Sequence, residues 1–186
     1  MNETLNIILN RRSIRKYLDK KIEKPDLDSI VEAAIMAPSA MNSQDWHFCV
    51  ISNRERINEI NNIIKEEIIN EGKKFIVDKI NEAGGDVFRG APVLVIVSSK
   101  ETEKSNIMSC AAATQNMVIA AEALNINSCW IGSISVLGQS SQFDNLRTKL
   151  QIPDGFIPNN GLVLGYKADG DFPMPERKSE TVTFIS

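Results

Sequence analysis

Cysteine and histidine are scarce in this chain, and their arrangement removes several kinds of chemistry at once. Cys49, Cys110 and Cys129 are odd in number, far apart and free of any C-x-x-C pair. Neither a disulfide framework nor a metal or iron–sulfur centre is supported, and the three read as small buried apolar residues. His47 is the only histidine. It lies between Trp46 and Phe48 with no acidic partner at a telling spacing, which suits a structural ring better than a catalytic one. No G-x-S-x-G elbow, G-x-G-x-x-G fingerprint or Walker loop occurs, so hydrolase, Rossmann and kinase chemistry find no support. Basic charge is in deficit: 21 Lys and Arg stand against 24 Asp and Glu, for a net charge of −3. That is the wrong balance for a nucleic-acid partner. No apolar run approaches the roughly eighteen residues of a membrane helix. The opening residues, Met1 to Asn6, lack the basic region and apolar stretch of a signal peptide. A soluble, cytoplasmic protein is expected.

What is present describes one globular unit. The 186 residues are 42% hydrophobic and 24% charged, a composition that argues against disorder. A chain of this size buries roughly 70% of its unfolded surface, and a single domain over 1–186 is expected. Leu5, Ile8 and Leu9 fall at helical spacing and predict a short first helix running directly into Arg11. Pro25 followed by Leu27, Ile30, Val31, Ala34 and Ile35 predicts an amphipathic helix with proline in its first turn, stopping before Pro38. Phe48 to Ile51 reads as a short buried strand. Charges and isoleucines alternate at helical periods from about Arg54 to Ile80, predicting a partly exposed helical region broken near Gly72 and ended by Gly84-Gly85. Five apolar residues after Pro92 predict a strand covered on both faces.

A long helix is predicted over about Asn106–Leu124. Its six alanines allow close approach to neighbours, either as a plain core helix or at a subunit interface. Ser128 to Ile134 reads as a strand or turn, and Phe143 to Leu150 as a short helix ending before Pro153. Leu162 to Tyr166 reads as a buried strand, Asp169 to Glu176 as a loop or extended tail, and Val182 to Ile185 as a last short strand. Helices and short strands alternate irregularly, which predicts an α+β architecture.

Two polar segments stand out. Arg11-Arg12-Ser13-Ile14-Arg15 places three guanidinium groups and a hydroxyl within five residues. Such crowding calls for a counter-ion, and a planar fork of donors matches a phosphate or carboxylate. Arg11 and Arg15 would share a helix face if the helix continued. The alternative is a solvated basic helix end, where cations favour the carbonyl dipole. About twenty-five residues later, Ser39, Asn42 and Gln44 lie in a loop able both to donate and to accept hydrogen bonds. The pyrimidine edge of an isoalloxazine ring, which alternates carbonyl, N–H and carbonyl, demands both. These residues read equally as turn formers between a helix and a strand, with Trp46 opening the core. Together the two segments suggest a mononucleotide cofactor, with Arg177-Lys178 as a further basic pair near the carboxyl end.

Arg11-Arg12-Ser13-Ile14-Arg15-Lys16-Tyr17 and the segment Ala37 to Phe48 resemble the nitroreductase family of FMN-dependent oxidoreductases. Gly90-Ala91-Pro92, the alanine-rich helix, Cys129-Trp130-Ile131-Gly132-Ser133 and Asn160 to Tyr166 follow in the family's order, so the resemblance covers nearly the whole chain. It implies an α+β nitroreductase-like sandwich, with a central, mainly antiparallel sheet surrounded by helices, forming an intertwined homodimer with FMN at the interface. Arg11, Arg12, Ser13 and Arg15 would meet the phosphate and ribityl chain, joined by Arg177 and Lys178. Ser39, Asn42 and Gln44 would come from the partner subunit, and the backbone of Ile131, Gly132 and Ser133 would approach flavin N5.

The resemblance further implies ping-pong hydride transfer through N5 from NADPH or NADH to a small-molecule acceptor, nitroaromatic, quinone or similarly electrophilic. No catalytic side chain and no metal are expected, because the cofactor carries the chemistry and the protein supplies position and electrostatics. A cation near the pyrimidine end would stabilise the reduced ring. The same fold also serves enone reduction, reductive dehalogenation or flavin-consuming chemistry, with determinants in the variable region about Ile57 to Phe88. A non-enzymatic FMN-storing or redox-sensing protein is the remaining alternative.

Overall fold

The computed structural model describes residues 2–82, 84–100, 104–178 and 180–185. Helix α1 (Glu3–Asn10) starts where the Asn2 side chain accepts the Leu5 N–H at 3.0 Å. Helix α2 (Lys24–Ile35) carries Pro25 in its first turn and buries Ile30 and Ala34. A short 3-10 turn, Ala40–Asn42, leads to strand β1 (Trp46–Ile51). The isoleucine-rich region forms two helices, α3 (Arg54–Asn70) and α4 (Lys74–Glu82). Gly72 supplies the positive φ (+75°) between them, and Lys73 N–H closes back on the Ile68 carbonyl at 3.1 Å, a glycine-terminated helix end. The predicted break near Gly72 is there, but α3 is more buried than its charge content suggested. Ile57, Ile60, Ile63, Ile64 and Ile68 all face the core, together with Asn61.

Strand β2 (Val93–Lys100) is the centre of the molecule, with Val93 to Ser99 buried. Helix α5 (Lys104–Ala123), strand β3 (Asn127–Ile131), a 3-10 segment (Gly132–Gln139), helix α6 (Phe143–Lys149) and strand β4 (Phe156–Gly165) follow. The sheet order is β1-β2-β4-β3, and each neighbouring pair is antiparallel.

Period-2 alternation assigns the sheet's two faces to two cores. Leu94, Ile96, Cys129, Ile131 and Val163 pack with α3, α4, α6 and the 3-10 segment. Val93, Val95, Val97, Leu162 and Leu164 pack with α2 and with Cys110, Ala113, Met117 and Ala121 of α5. The alanines of α5 let it lie close to both the sheet and α2. Among the described residues no helix is long and apolar enough to cross a membrane.

Two expectations, at β4 and at Val182 to Ile185, are corrected, and two are made definite. Strand β4 begins at Phe156 rather than Leu162, because Pro158 sits at the irregularity where the β2–β4 register shifts between Val97 and Ser98, one of the few places a sheet accepts proline. The segment read as a strand or turn over Ser128 to Ile134 is both: β3 runs to Ile131, and the chain then turns into the 3-10 segment. No strand forms at Val182 to Ile185: the segment pairs with neither edge strand of the protomer's sheet, and Phe184 and Ile185 are almost fully exposed. As expected, α1 runs directly into Arg11; it ends at Asn10 and Arg11 is already extended (φ −60°, ψ 146°), so the condition under which Arg11 and Arg15 would share a helix face is not met.

Candidate functional site

The arginine segment is held in place by the residue that is not polar. Ile14 is buried (2% exposed), and its N–H donates to the Ser128 carbonyl at the end of the sheet at 2.9 Å. Extended backbone then sends its neighbours Ser13 and Arg15 the other way, and both are exposed. Four residues on, the Leu18 N–H donates to Tyr166 O (2.8 Å) and the Ala168 N–H to Lys16 O (3.0 Å). Tyr17 Oη donates to Ile14 O at 2.6 Å, and burial raises the phenol far above its usual range, so it stays a donor. A Cβ on Gly165 would lie 2.7 Å from the Tyr17 ring, so glycine there is what admits the tyrosine.

The three arginines differ in use. Arg12 Nη1 donates to the carbonyls of Leu9 (3.1 Å) and Arg11 (2.8 Å), closing the end of α1. The reading as a basic helix end is therefore right for Arg12. Arg11 and Arg15 have no ion pair or hydrogen bond among the described residues. Both line a cavity of about 430 Å³ together with Arg12, Ser13 and Arg177. The tail from Asp171 to Pro175 closes the other side, so four guanidinium groups face one carboxylate, that of Asp171. Lys178 is exposed and is not on this wall. A larger apolar groove of about 800 Å³ runs between α2 and the β1 edge, but it holds none of the predicted site residues.

Ile131, Gly132 and Ser133 follow directly from the sheet. A Cβ on Gly161 would meet Ile134 Cγ1 at 2.5 Å, so the glycine in β4 lets the 3-10 segment settle on the strand. This brings Ile131 and Ser133 to a second cavity, about 220 Å³, which Arg15 also lines. Gly132 is exposed, and its carbonyl accepts from Ser135 Oγ (3.0 Å).

Ser39, Asn42 and Gln44 lie elsewhere on the protomer and line neither of these cavities. Their loop is strained: Met41, Asn42 and Gln44 all have positive φ, between 52° and 54°. Ser39 Oγ accepts from Gln44 N (3.1 Å), Gln44 Nε2 donates to Asn42 Oδ1 (3.2 Å), and Ala40 N donates to Ser109 Oγ (3.2 Å). These bonds hold a non-glycine turn in a conformation that persists only when its surroundings impose it, and Asn42 and Gln44 remain exposed.

His47 is half-buried in β1 with its ring edge toward Phe156, and burial lowers its pKa. It does not line the arginine cavity. All three cysteines are free thiols with raised pKa values, pushed up to about 11 by burial for Cys49. No cluster of three or more metal-ligating side chains occurs among the described residues. Sequence reasoning missed Arg89, which lines the 220 Å³ cavity together with Arg15. Its only sequence signal is a charge placed between Phe88 and Gly90 at the entry to β2.

The nitroreductase family model matches residues 8–166, which spans α1 to the end of β4. The chain belongs to the nitroreductase family. This nitroreductase-family fold superposes with a TM-score of 0.90 on a nitroreductase with bound FMN from Bacteroides fragilis, 34% identical, with 100% of both chains covered. A nitroreductase with bound FMN from Desulfitobacterium hafniense is 27% identical with a TM-score of 0.92, again over 100% of both chains. The FMN reductase (NADPH) of Bacillus subtilis is 26% identical over 186 residues, 98% of this chain and 73% of that protein.

Proposed function

We propose that this protein is an FMN-dependent oxidoreductase, a homodimer that uses NADPH or NADH to reduce nitroaromatic, quinone or similar electrophilic acceptors by ping-pong turnover. The observation that carries the reading is the cavity in which four guanidinium groups and the Ser13 hydroxyl outnumber one carboxylate. Uncompensated guanidinium charge of this kind suits a phosphate. The residues present therefore fit FMN, in line with the FMN-bound structural relatives.

When bound, FMN supplies the two-electron chemistry between nicotinamide and acceptor at N5. The protein's part is to hold and to shape. Arg11, Ser13, Arg15 and Arg177 hold the phosphate and ribityl chain, while Arg12 fixes the bend between α1 and the extended segment. Lys178, off the cavity wall, is the weakest member of the proposed set. Ile131, Gly132 and Ser133 face the ring through a backbone seated by Gly161, and Arg15 favours added negative charge there.

The dimer is needed to complete the site. Asn42 and Gln44 are exposed, Ser39 is half-buried, and none of the three lines the arginine cavity, which supports a second copy bringing them to it. The exposed apolar surface argues the same way. Helix α1 buries none of its residues within the protomer, although Leu5 and Leu9 are each about half exposed (51% and 55%). A helix this short is not stable by itself in water. Met41 is 99% exposed, and Met36, Met108 and Phe184 add further uncovered apolar area. Exposed apolar area on this scale supports an interface.

The purified protein should be yellow, should bleach with NADPH or NADH under argon, and should elute as a dimer. Leu5→Glu combined with Leu9→Glu should give a colourless monomer. A wild-type protein that stays colourless after FMN loading would overturn the cofactor assignment, and a yellow monomer would overturn the shared site.

A further inference from the structure

The loop of Ser39, Asn42 and Gln44 keeps its shape against the preference of its residues. Met41, Asn42 and Gln44 all have positive φ, a region that asparagine visits and that methionine and glutamine avoid. The bonds from Asn42 N to Ser39 O and from Ser43 N to Ala40 O (both 3.0 Å) close turns within the loop. They tie it to nothing outside.

Two fastenings join the loop to the rest of the protomer, one at each end. At the first, the Ala40 N–H donates to Ser109 Oγ on α5 at 3.2 Å. Ser109 is buried, and its hydroxyl donates in turn to Ser105 O (3.1 Å), so its one proton is committed and a lone pair faces Ala40. At the second, Asp45 lies just beyond Trp46, which is registered against Ser99, and its carboxylate pairs with Lys100 Nζ at 2.6 Å. The backbone of Lys100 is held as well. Its carbonyl accepts from Asn106 Nδ2 (3.3 Å) and Ser99 Oγ (3.4 Å), and Ser99 Oγ accepts from Asn159 Nδ2 of β4 at 2.7 Å.

Both fastenings therefore return to α5. Asn106 and Ser109 are three residues apart, on one face of that helix, and are only 3% and 7% exposed. Alanine is the commonest residue of α5 and the better helix former, so neither packing nor propensity calls for a serine at 109. A buried polar group is costly unless it is bonded. The bond that Ser109 makes beyond its own helix runs to the loop.

We propose that Ser109 is a positioning residue for the cofactor. Through the Ala40 amide it fixes how one subunit's Asn42 and Gln44 meet the pyrimidine edge of the flavin held by the other, while the chain from Asn106 through Lys100 to Asp45 fixes the far end of the loop. The inference rests on the reading of Ser39, Asn42 and Gln44 as the partner's share of the flavin site. Ser109 acts through backbone and does not touch the ring. Its effect is to have two amide side chains in place before the ligand arrives, which spares the cost of ordering them on binding. A loop held in this way discriminates at flavin N3, the N–H in the middle of that edge.

The test compares FMN with N3-methyl-FMN, in which a methyl group replaces that hydrogen, by fluorescence titration of the full chain stripped of flavin. The wild type should prefer FMN by about fivefold to a hundredfold, the loss expected when a hydrogen-bonding group is left without its partner. In Ser109→Ala the preference should largely disappear, and Ser109→Thr, which keeps the hydroxyl, should restore most of it. A general loss of stability would weaken both flavins alike and leave their ratio unmoved. In the flavin-free protein, amide hydrogen exchange over residues 40–44 should quicken in Ser109→Ala, while the amides of β2 and β4 keep their protection. An unchanged ratio, or unchanged exchange over residues 40–44, overturns the proposal. A wild type that binds the two flavins equally overturns the ring-reading role of the loop and this proposal with it. A wild type that takes up no FMN overturns the cofactor assignment itself, and exchange over residues 40–44 still reports whether Ser109 holds the loop.

Discussion

Gly165→Ala makes the most exacting test of how the site is built. An added Cβ would lie 2.7 Å from Tyr17 Cδ1 and 2.7 Å from Pro92 Cδ, each about 0.7 Å short of the 3.4 Å at which ordinary contact begins. Both neighbours are rigid rings, and Gly165 is in a strand paired on both sides, so neither the backbone nor the rings can yield freely. Overpacking of this kind costs about 1–3 kcal/mol. For a chain of this length each kcal/mol lowers Tm by about 2–4 °C, so a loss of about 2–12 °C is expected at fixed protomer concentration. Displacing Tyr17 also loosens its 2.6 Å bond to Ile14 O, so FMN affinity should fall with stability. Adding Tyr17→Ala removes one of the two clashing rings, and the double variant should be more stable than the sum of the singles by about 0.5–3 kcal/mol. Calorimetric or denaturant unfolding measures both. A Gly165→Ala protein with wild-type Tm and FMN affinity, or strictly additive effects, would refute the account of Tyr17 as the brace behind Arg15.

Two further outcomes are expected. Arg15→Ala should weaken FMN binding by about 1.5–3 kcal/mol, roughly tenfold to a hundredfold, read from flavin fluorescence titration; unchanged affinity would remove Arg15 from the site. Burial holds the folded-state pKa of His47 below its ordinary 6.5, so as pH falls through 6.5 the unfolded chain takes up a proton that the folded one refuses. That contribution to stability is complete above 6.5 and is lost below it. His47→Phe should flatten the slope of urea midpoint against pH in that range, and an unaltered slope would assign it to other groups.

The fold was readable where side-chain period and burial agree. Val93 to Val97 announced a strand covered on both faces, and Gly72 announced the break between α3 and α4. It was hidden where a local signal depends on a distant partner. Pro158 looks like the end of a strand until the bulge opposite Val97/Ser98 is seen. Val182 to Ile185 has the composition of a strand, but pairs with neither edge of the protomer's sheet. At the site, the arginine run suggested either an anion or a basic helix end, and only the geometry separates Arg12, bound to the end of α1, from Arg11 and Arg15. Gly161 and Gly165 were visible as a motif, yet their reasons, Ile134 and Tyr17, lie 27 and 148 positions earlier in the chain. Arg89 was passed over because a charged residue before glycine reads as an ordinary turn, and a positive φ leaves no mark in sequence.

The single buried side chain of Ile14, flanked by outward Ser13 and Arg15 and pinned at both ends, makes this stretch indifferent to spelling and intolerant of length. Replacing an outward residue changes one donor and leaves the rest in register. Deleting or inserting one residue between α1 and Tyr17 would turn the pattern inside out, driving a guanidinium toward the core and an isoleucine into the arginine-lined cavity. Descendants of this chain can therefore retune what the cavity holds by point changes at positions 13 and 15, whereas frame-preserving insertions and deletions, which loops elsewhere absorb, are closed to them here.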